Sequence, residues 1–214
     1  MELRGSMRGG LVWRLAVGAY HVIDELRPLV NRCLAGDQAA MRQLVDRFRA
    51  PVVGLCYRML GHLQDAEDAA QETFIRLLKS LRNWDSARDF EPWLLAIAGN
   101  RCRTFLATRR RKYTIQPYFE DSATSVDERD DLSEEINLAL QSIRPEHRQA
   151  FLMFHQQELS YEQIAEALSC PIGTVKTWIH RARRRIIDHL RAREVIETRN
   201  PKSAKHPEFA EHPE

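Results

Sequence analysis

Residues 160–190 constrain the fold most, because they carry the start, stop and periodicity signals of two helices in immediate succession. Ser160 followed three residues later by Gln163 is a capping box. The hydroxyl accepts from the Gln163 amide, and the Gln163 side chain reaches back to the Ser160 amide. A helix is therefore predicted from near Tyr161, with Ile164, Ala165 and Leu168 on one apolar face. Pro171 and Gly173 are expected to stop it and allow a sharp turn. Thr174 is expected to cap a second helix, in which Val175, Ile179, Ala182, Ile186 and Leu190 recur at steps of three and four. That stripe demands a helical neighbour.

The opposite face of the second helix is basic. Lys176, Thr177, His180, Arg181 and Arg184 line it, and Arg183, Arg185, Arg191 and Arg193 widen the charge. Asp188 is the only acid between Lys176 and Arg193. Cations in a last helical turn are accounted for by the helix dipole, but the dipole disfavours Lys176 and does not explain Arg181. Cap, turn, apolar stripe and basic face in this order point to a helix-turn-helix whose second helix enters a DNA groove, against the blander reading of a structural hairpin.

The 214 residues allow one domain or two small ones, and two helical modules fit the pattern better. With 43% hydrophobic and 29% charged residues, the composition is that of a soluble globular protein. A net charge of only +2 conceals segregation. Arg101, Arg103, Arg109, Arg110, Arg111 and Lys112 form one basic block and the recognition helix a second; Glu120, Asp121, Asp127, Glu128, Asp130, Asp131, Glu134 and Glu135 crowd the stretch between. Cys33, Cys56, Cys102 and Cys170 have no zinc-ligand spacing, so free thiols in a reducing cytoplasm are expected and no metal site. The apolar stretch 11–23 is short and holds Arg14, which supports neither a signal peptide nor a membrane span.

In the first half Asp37 is a good N-cap for a helix with Met41, Leu44, Val45 and Phe48 on its apolar face, and Pro51 is expected to begin another that ends at Gly61. Asp65 then opens a helix whose inward candidates are Ala66, Ala69, Ala70, Phe74, Leu77, Leu78 and Leu81. Asp65, Glu67, Asp68 and Glu72 suit its positive end, and a partner-binding patch is the competing account. Asp89 and Pro92 mark the start of a long helix with Trp93, Leu94, Ile97, Ala98 and Phe105 inward. It sets Asn100 and a run of arginines beside Trp84 and Phe90, the mixture of cations and aromatics that unpaired nucleic acid requires.

The expected organisation is thus all-α. Residues 1–25 are an extension and 26–112 a first helical domain. Residues 113–131 form a flexible acidic tether, 132–193 the helix-turn-helix domain and 194–214 a disordered tail. In the second domain Asp131 with Glu134 offers a capping box, and Ile136, Leu138 and Leu140 continue a short helix. Pro145 opens another that packs Ala150, Phe151, Met153 and Phe154 onto the helix-turn-helix.

Three stretches in this order, DAEDAAQETFIRLL, FEPWLLAIAGNRCRTFL and LSYEQIAEALSCPIGTVKTWIHRARRRI, resemble the extracytoplasmic-function sigma factors of the sigma-70 family, over roughly residues 29–191. The resemblance implies that Asp65, Asp68, Gln71, Glu72 and Arg76 contact core RNA polymerase. It implies that Asn100 captures a flipped base of the minus-ten element, with Trp84 in the loop that closes the pocket and Arg101, Arg103 and Arg109 on the backbone. Thr174, Lys176, Thr177, His180 and Arg181 match the positions that read the minus-thirty-five element, with Arg183 and Arg184 near phosphates. Trp178 stands where many members carry arginine. The resemblance further implies core polymerase, promoter DNA and an anti-sigma factor as partners; no paired carboxylates, base-activated nucleophile or phosphate-cradling glycine loop stand at credible spacing, so no cofactor and no chemistry of its own are expected. The rival reading is a dimeric helix-turn-helix regulator that acts without polymerase docking.

Overall fold

The computed structural model describes residues 26–115 and 131–193, and every regular element among them is helical. The expected N-terminal extension and C-terminal tail, and residues 116–130 of the expected tether, lie outside the described residues. Residues 26–34 form α1, followed by α2 (Gln38–Leu60), α3 (Leu63–Ser80), a 3-10 turn (Leu81–Asn83) and α4 (Phe90–Ile115). The second group is α5 (Asp131–Gln141), α6 (Pro145–His155), α7 (Tyr161–Ala167) and α8 (Ile172–Ala192).

Asp37 caps α2 as expected: its carboxylate accepts from the amides of Ala39 at 2.8 Å and Ala40 at 3.1 Å, and Arg32 holds it from the side at 2.6 Å. The Ala40 amide, and after it the arginine, hold the Asp37 carboxyl below its ordinary range. The expected break at Pro51 does not occur, because Pro51 lies inside one continuous helix. Leu44, Phe48, Val52, Leu55 and Met59 form a buried stripe that passes through the proline without interruption. Burying each large side chain is worth about 1.5–3 kcal/mol, which offsets the single lost backbone bond. Gly61 ends the helix in the left-handed region at φ 77°.

In α3 the inward set is confirmed at Ala66, Ala69, Ala70, Phe74 and Leu77, while the helix starts two residues before Asp65, at Leu63. In α4, Leu94 and Ala98 are buried, and Trp93, half-buried, meets Phe90 edge-on at 5.7 Å between centroids. In α5, Leu138 is 45% exposed, whereas Ala139, Leu140 and the following Ile143 are buried. Helical geometry gives the reason: Ile136, Leu140 and Ile143 share a face, and Leu138 projects from the other side.

The helix-turn-helix differs from expectation only in its turn. The capping box of α7 forms in full, with Gln163 N to Ser160 Oγ at 3.1 Å and Ser160 N to Gln163 Oε1 at 2.8 Å. The left-handed residue of the turn is Ser169, at φ 52°, and not Gly173, which lies in the first turn of α8. Thr174 is therefore not the cap. Pro171, at φ −61° and ψ 144°, stands there instead, and its carbonyl accepts from the Thr174 amide at 2.9 Å. Proline's fixed φ suits the extended residue before a helix, and α8 accordingly starts at Ile172, ahead of the expected Thr174 cap. The stripe of α8 is buried at Val175, Ile179, Ala182 and Leu190, with Ile186 packed against it.

The two helical groups pack on one another through α2 and α4 on one side and α5, α6 and α7 on the other, and their buried residues form one cluster. Arg148 of α6, only 3% exposed, lies at the junction. Its guanidinium donates to the Met59 carbonyl at the end of α2, to Gln141 Oε1 at 2.6 Å, and to the carbonyls of Gln141 at 2.8 Å and Ile143 at 3.0 Å. Beside it the buried Gln149 lies against Gly99 so closely that a Cβ at position 99 would fall within its amide. Arg58 to Asn137 at 2.6 Å, Gln163 Nε2 to Asp89 at 2.7 Å and Arg88 to Glu166 at 3.1 Å extend the polar seam.

Candidate nucleic-acid and polymerase interfaces

The face of α8 opposite its apolar stripe is exposed at Lys176, Thr177, His180, Arg181, Arg183, Arg184 and Arg185, with Thr174 half-buried at its start. Buried Val175, Ile179 and Ala182 occupy the other side of α8, so these charges form one surface and not a ring. Tyr161 of α7 lies under the Lys176 ammonium at 5.7 Å, and His155 of α6 meets Arg183 at 3.1 Å, so both neighbours aim cations outward. Burial, and then the charge of Arg183, push His155 below the usual histidine range; burial and Arg181 do the same to His147. Both shifts favour the neutral ring, so His147 and His155 sit beside the arginines and Lys176 of this face without adding to the charge there. Trp178 is half-buried and stacks obliquely with His147 at 6.0 Å, so it belongs to the packing under the recognition face.

On the first group, Asn100 is exposed on α4, and its Oδ1 accepts from the Arg103 guanidinium one turn later. Trp84 packs edge-on to Phe90 at 5.2 Å, in the loop that joins the 3-10 turn to α4. Its indole N–H is buried without a partner. That loop is held at Ala87 by Asp85 (2.9 Å) and at Asp89 by Gln163. Arg101 and Arg109 do not point with Asn100: Arg101 meets Glu72 of α3 at 2.5 Å, and Arg109 meets Asp65 at 3.4 Å.

The α3 surface carries Asp68, Gln71, Arg76 and Glu67 exposed, with Glu72 and Asp65 half-buried by their α4 arginines. Ile75, 52% exposed, sits one turn beyond Gln71 in the middle of this polar face. It is absent from the residues singled out by sequence; its signal is that it falls off the inward Ala70, Phe74, Leu77 stripe. Gln163 reads in the sequence as a cap alone, and nothing local to it foretells the bond to Asp89. Among the described residues no group of three or more His, Cys, Asp or Glu could hold a metal ion, and no helix is long and apolar enough to cross a membrane. Cys33, Cys56 and Cys102 are buried free thiols and Cys170 is half-buried.

Residues 44–112 match the family model of Sigma-70 region 2 and residues 133–186 that of Sigma-70, region 4. The chain is 32% identical over 185 residues to the ECF RNA polymerase sigma factor SigW of Bacillus subtilis, covering 78% of this chain and 97% of that one. It is 32% identical to the RNA polymerase sigma-H factor of Pseudomonas aeruginosa, covering 76% and 92% respectively. Among solved structures it is similar to the sigma factor RpoE in complex with the anti-sigma factor NepR from Bartonella quintana. The TM-score is 0.60 at 22% identity, over 70% of this chain and 96% of that one. CnrH, in complex with the cytosolic domain of CnrY, gives a TM-score of 0.60 at 23% identity, over 78% and 97%. At these identities the two structures speak for the fold. The chain belongs to the extracytoplasmic-function sigma factors of the sigma-70 family. It is an RNA polymerase sigma factor, whose partners are core RNA polymerase and promoter DNA.

Proposed function

We propose that the two exposed faces divide promoter recognition between them. Lys176, Thr177, His180 and Arg181, with Thr174 at the helix start, read base edges of the minus-thirty-five duplex, and Arg183 and Arg184 hold its phosphates. Asn100 receives a base flipped from the minus-ten element beside Trp84, with Arg103 toward the strand. Asp65, Asp68, Gln71, Glu72 and Arg76 dock α3 on core polymerase. The observation that carries this reading is that Asn100, the α8 basic face and the α3 polar face are all exposed at helical spacing, while the apolar residues between them are buried.

The protein's part is positional and electrostatic, with no reaction catalysed by its own side chains. It acts in the cytoplasm, where free thiols such as Cys56 and Cys102 remain reduced. The Bartonella quintana sigma factor of the same fold forms a complex with an anti-sigma factor, which supports a partner of the same kind here. Transcription with purified core polymerase tests the reading. Added protein is expected to produce initiation at a matched promoter, and no gain over core enzyme alone would sink it. A palindromic operator bound tightly without polymerase would favour the dimeric regulator instead.

A further inference from the structure

Arg101 follows Asn100 directly, and by sequence it belongs to the strand-binding set. Its side chain goes elsewhere. Only 16% of it is exposed, its Nη2 lies 2.5 Å from Glu72 Oε1, and its Nε is buried without a partner. About two turns further along α4, Arg109 meets Asp65 in the same sense. Glu72 pairs with Arg101 and Asp65 with Arg109, so α3 and α4 run antiparallel with two ionic rungs between them. Glu72 shares the α3 surface with Asp68, Gln71 and Ile75, all exposed. An arginine in this position cannot reach a phosphate without leaving Glu72 and turning out into solvent.

We infer that Arg101 is a positioning residue of the polymerase-docking face, which fixes the Glu72 carboxylate on α3, and not a contact to promoter DNA. The inference rests on the reading of α3 as the docking helix. Glu72 is 45% exposed, and a half-exposed glutamate without a partner samples many rotamers. The charge-assisted bond to an enclosed guanidinium removes that freedom before polymerase arrives, so less ordering is required on binding. Immobilising one flexible side chain in advance corresponds to about a three- to tenfold gain in affinity.

Full-length wild type, R101Q, R101K, E72Q and the R101Q/E72Q double variant test this in two titrations. The first follows assembly of each with core polymerase. The second follows binding of a single-stranded minus-ten oligonucleotide to holoenzyme at saturating core, across a series of salt concentrations. R101Q is expected to weaken core binding about three- to tenfold, with R101K recovering most of the loss, and to add no further loss in the E72Q background. Oligonucleotide affinity and its salt slope should match wild type within about twofold. Unchanged core affinity with weaker, less salt-dependent strand binding would overturn the inference and return Arg101 to the DNA contacts. An equal loss of core affinity in the presence and absence of Glu72 would overturn it too, since Arg101 would then act through general stability. If D68A and E72Q both bind core as tightly as wild type, the reading of α3 as the docking helix fails, an outcome separate from either of these.

Discussion

Replacing Arg148 with methionine tests whether the junction between the helical groups is held by its buried guanidinium. Methionine keeps most of the stem volume and removes only the donors. Burial pushes the Arg148 guanidinium down to about 10, still well above neutral, so the wild-type side chain is a cation at pH 7. Its removal takes away the bonds to the Met59, Gln141 and Ile143 backbone carbonyls and to Gln141 Oε1, and leaves four oxygens at the seam without that donor. A bond from a charged donor is worth about 1.5–3 kcal/mol net, and each buried acceptor left alone costs about 1–3 kcal/mol. Against this stands the relief of no longer burying a cation, several kcal/mol in the other direction. The balance expected is a loss of about 2–4 kcal/mol, a large fraction of the stability of a domain of this size. Urea unfolding at pH 7, followed by far-ultraviolet circular dichroism, measures it. The midpoint should fall, and the transition should broaden or split as α5–α8 uncouple from α1–α4. A loss below about 0.5 kcal/mol with an unchanged slope would refute the reasoning, because such a value is typical of a surface substitution.

Gly99→Ala places a methyl within the Gln149 amide, so it should destabilise by about 1–3 kcal/mol despite alanine's better helix propensity, and Gly99→Ala with Gln149→Ala should recover most of the loss in the same urea assay. Ser160→Ala removes the α7 cap and is expected to cost about 1 kcal/mol in thermal or urea unfolding. Asp37 has a folded pKa below its unfolded value, so its contribution is complete above about pH 4 and is lost as pH falls through the folded value. The stability gap between wild type and Asp37→Asn should therefore narrow on acidification over that window, and a gap constant with pH argues against the linkage. Arg181→Ala should weaken promoter binding by holoenzyme by about 1–3 kcal/mol with relaxed sequence preference, whereas Arg184→Ala should lower the salt slope equally for all sequences. Asn100→Ala should impair open-complex formation, read by permanganate footprinting, with core binding intact; loss of core binding would show that α4 is misassigned.

Local signals in the chain are sufficient wherever a few adjacent residues settle the physics. The Ser160 and Gln163 box, the Asp37 cap and the stripe of α8 all appear where periodicity places them, because helix caps and amphipathic faces are short-range properties. Local signals mislead at Pro51 and Gly173. The proline is tolerated because the buried stripe continues on both sides of it, and Gly173 sits within α8 because Pro171 has already set the extended residue before the helix. Leu138 reads in the sequence only as one of three apolar residues of a short helix, and its angle on that helix turns it outward. Ile75 falls outside the inward set that the sequence itself yields, but only the structure shows it 52% exposed among the polar residues of α3.

By itself the sequence determined that the fold is of the all-α class, as the described residues show, that the last long helix among them divides into apolar and basic faces, and that the motifs are those of a sigma factor. These follow from residue spacings of three or four, which the helix converts directly into shared faces. Only the tertiary structure decided which charges are free to act. Arg101 and Arg103, two positions apart on α4, part company because α3 brings Glu72 to one and leaves the other beside Asn100. The same holds for Arg148, a polar residue of an amphipathic helix until the end of α2 arrives with an unsatisfied carbonyl. Charge and hydrogen-bonding capacity are written locally, but their partners lie 29 and 89 residues away, and only the packing of helices selects them.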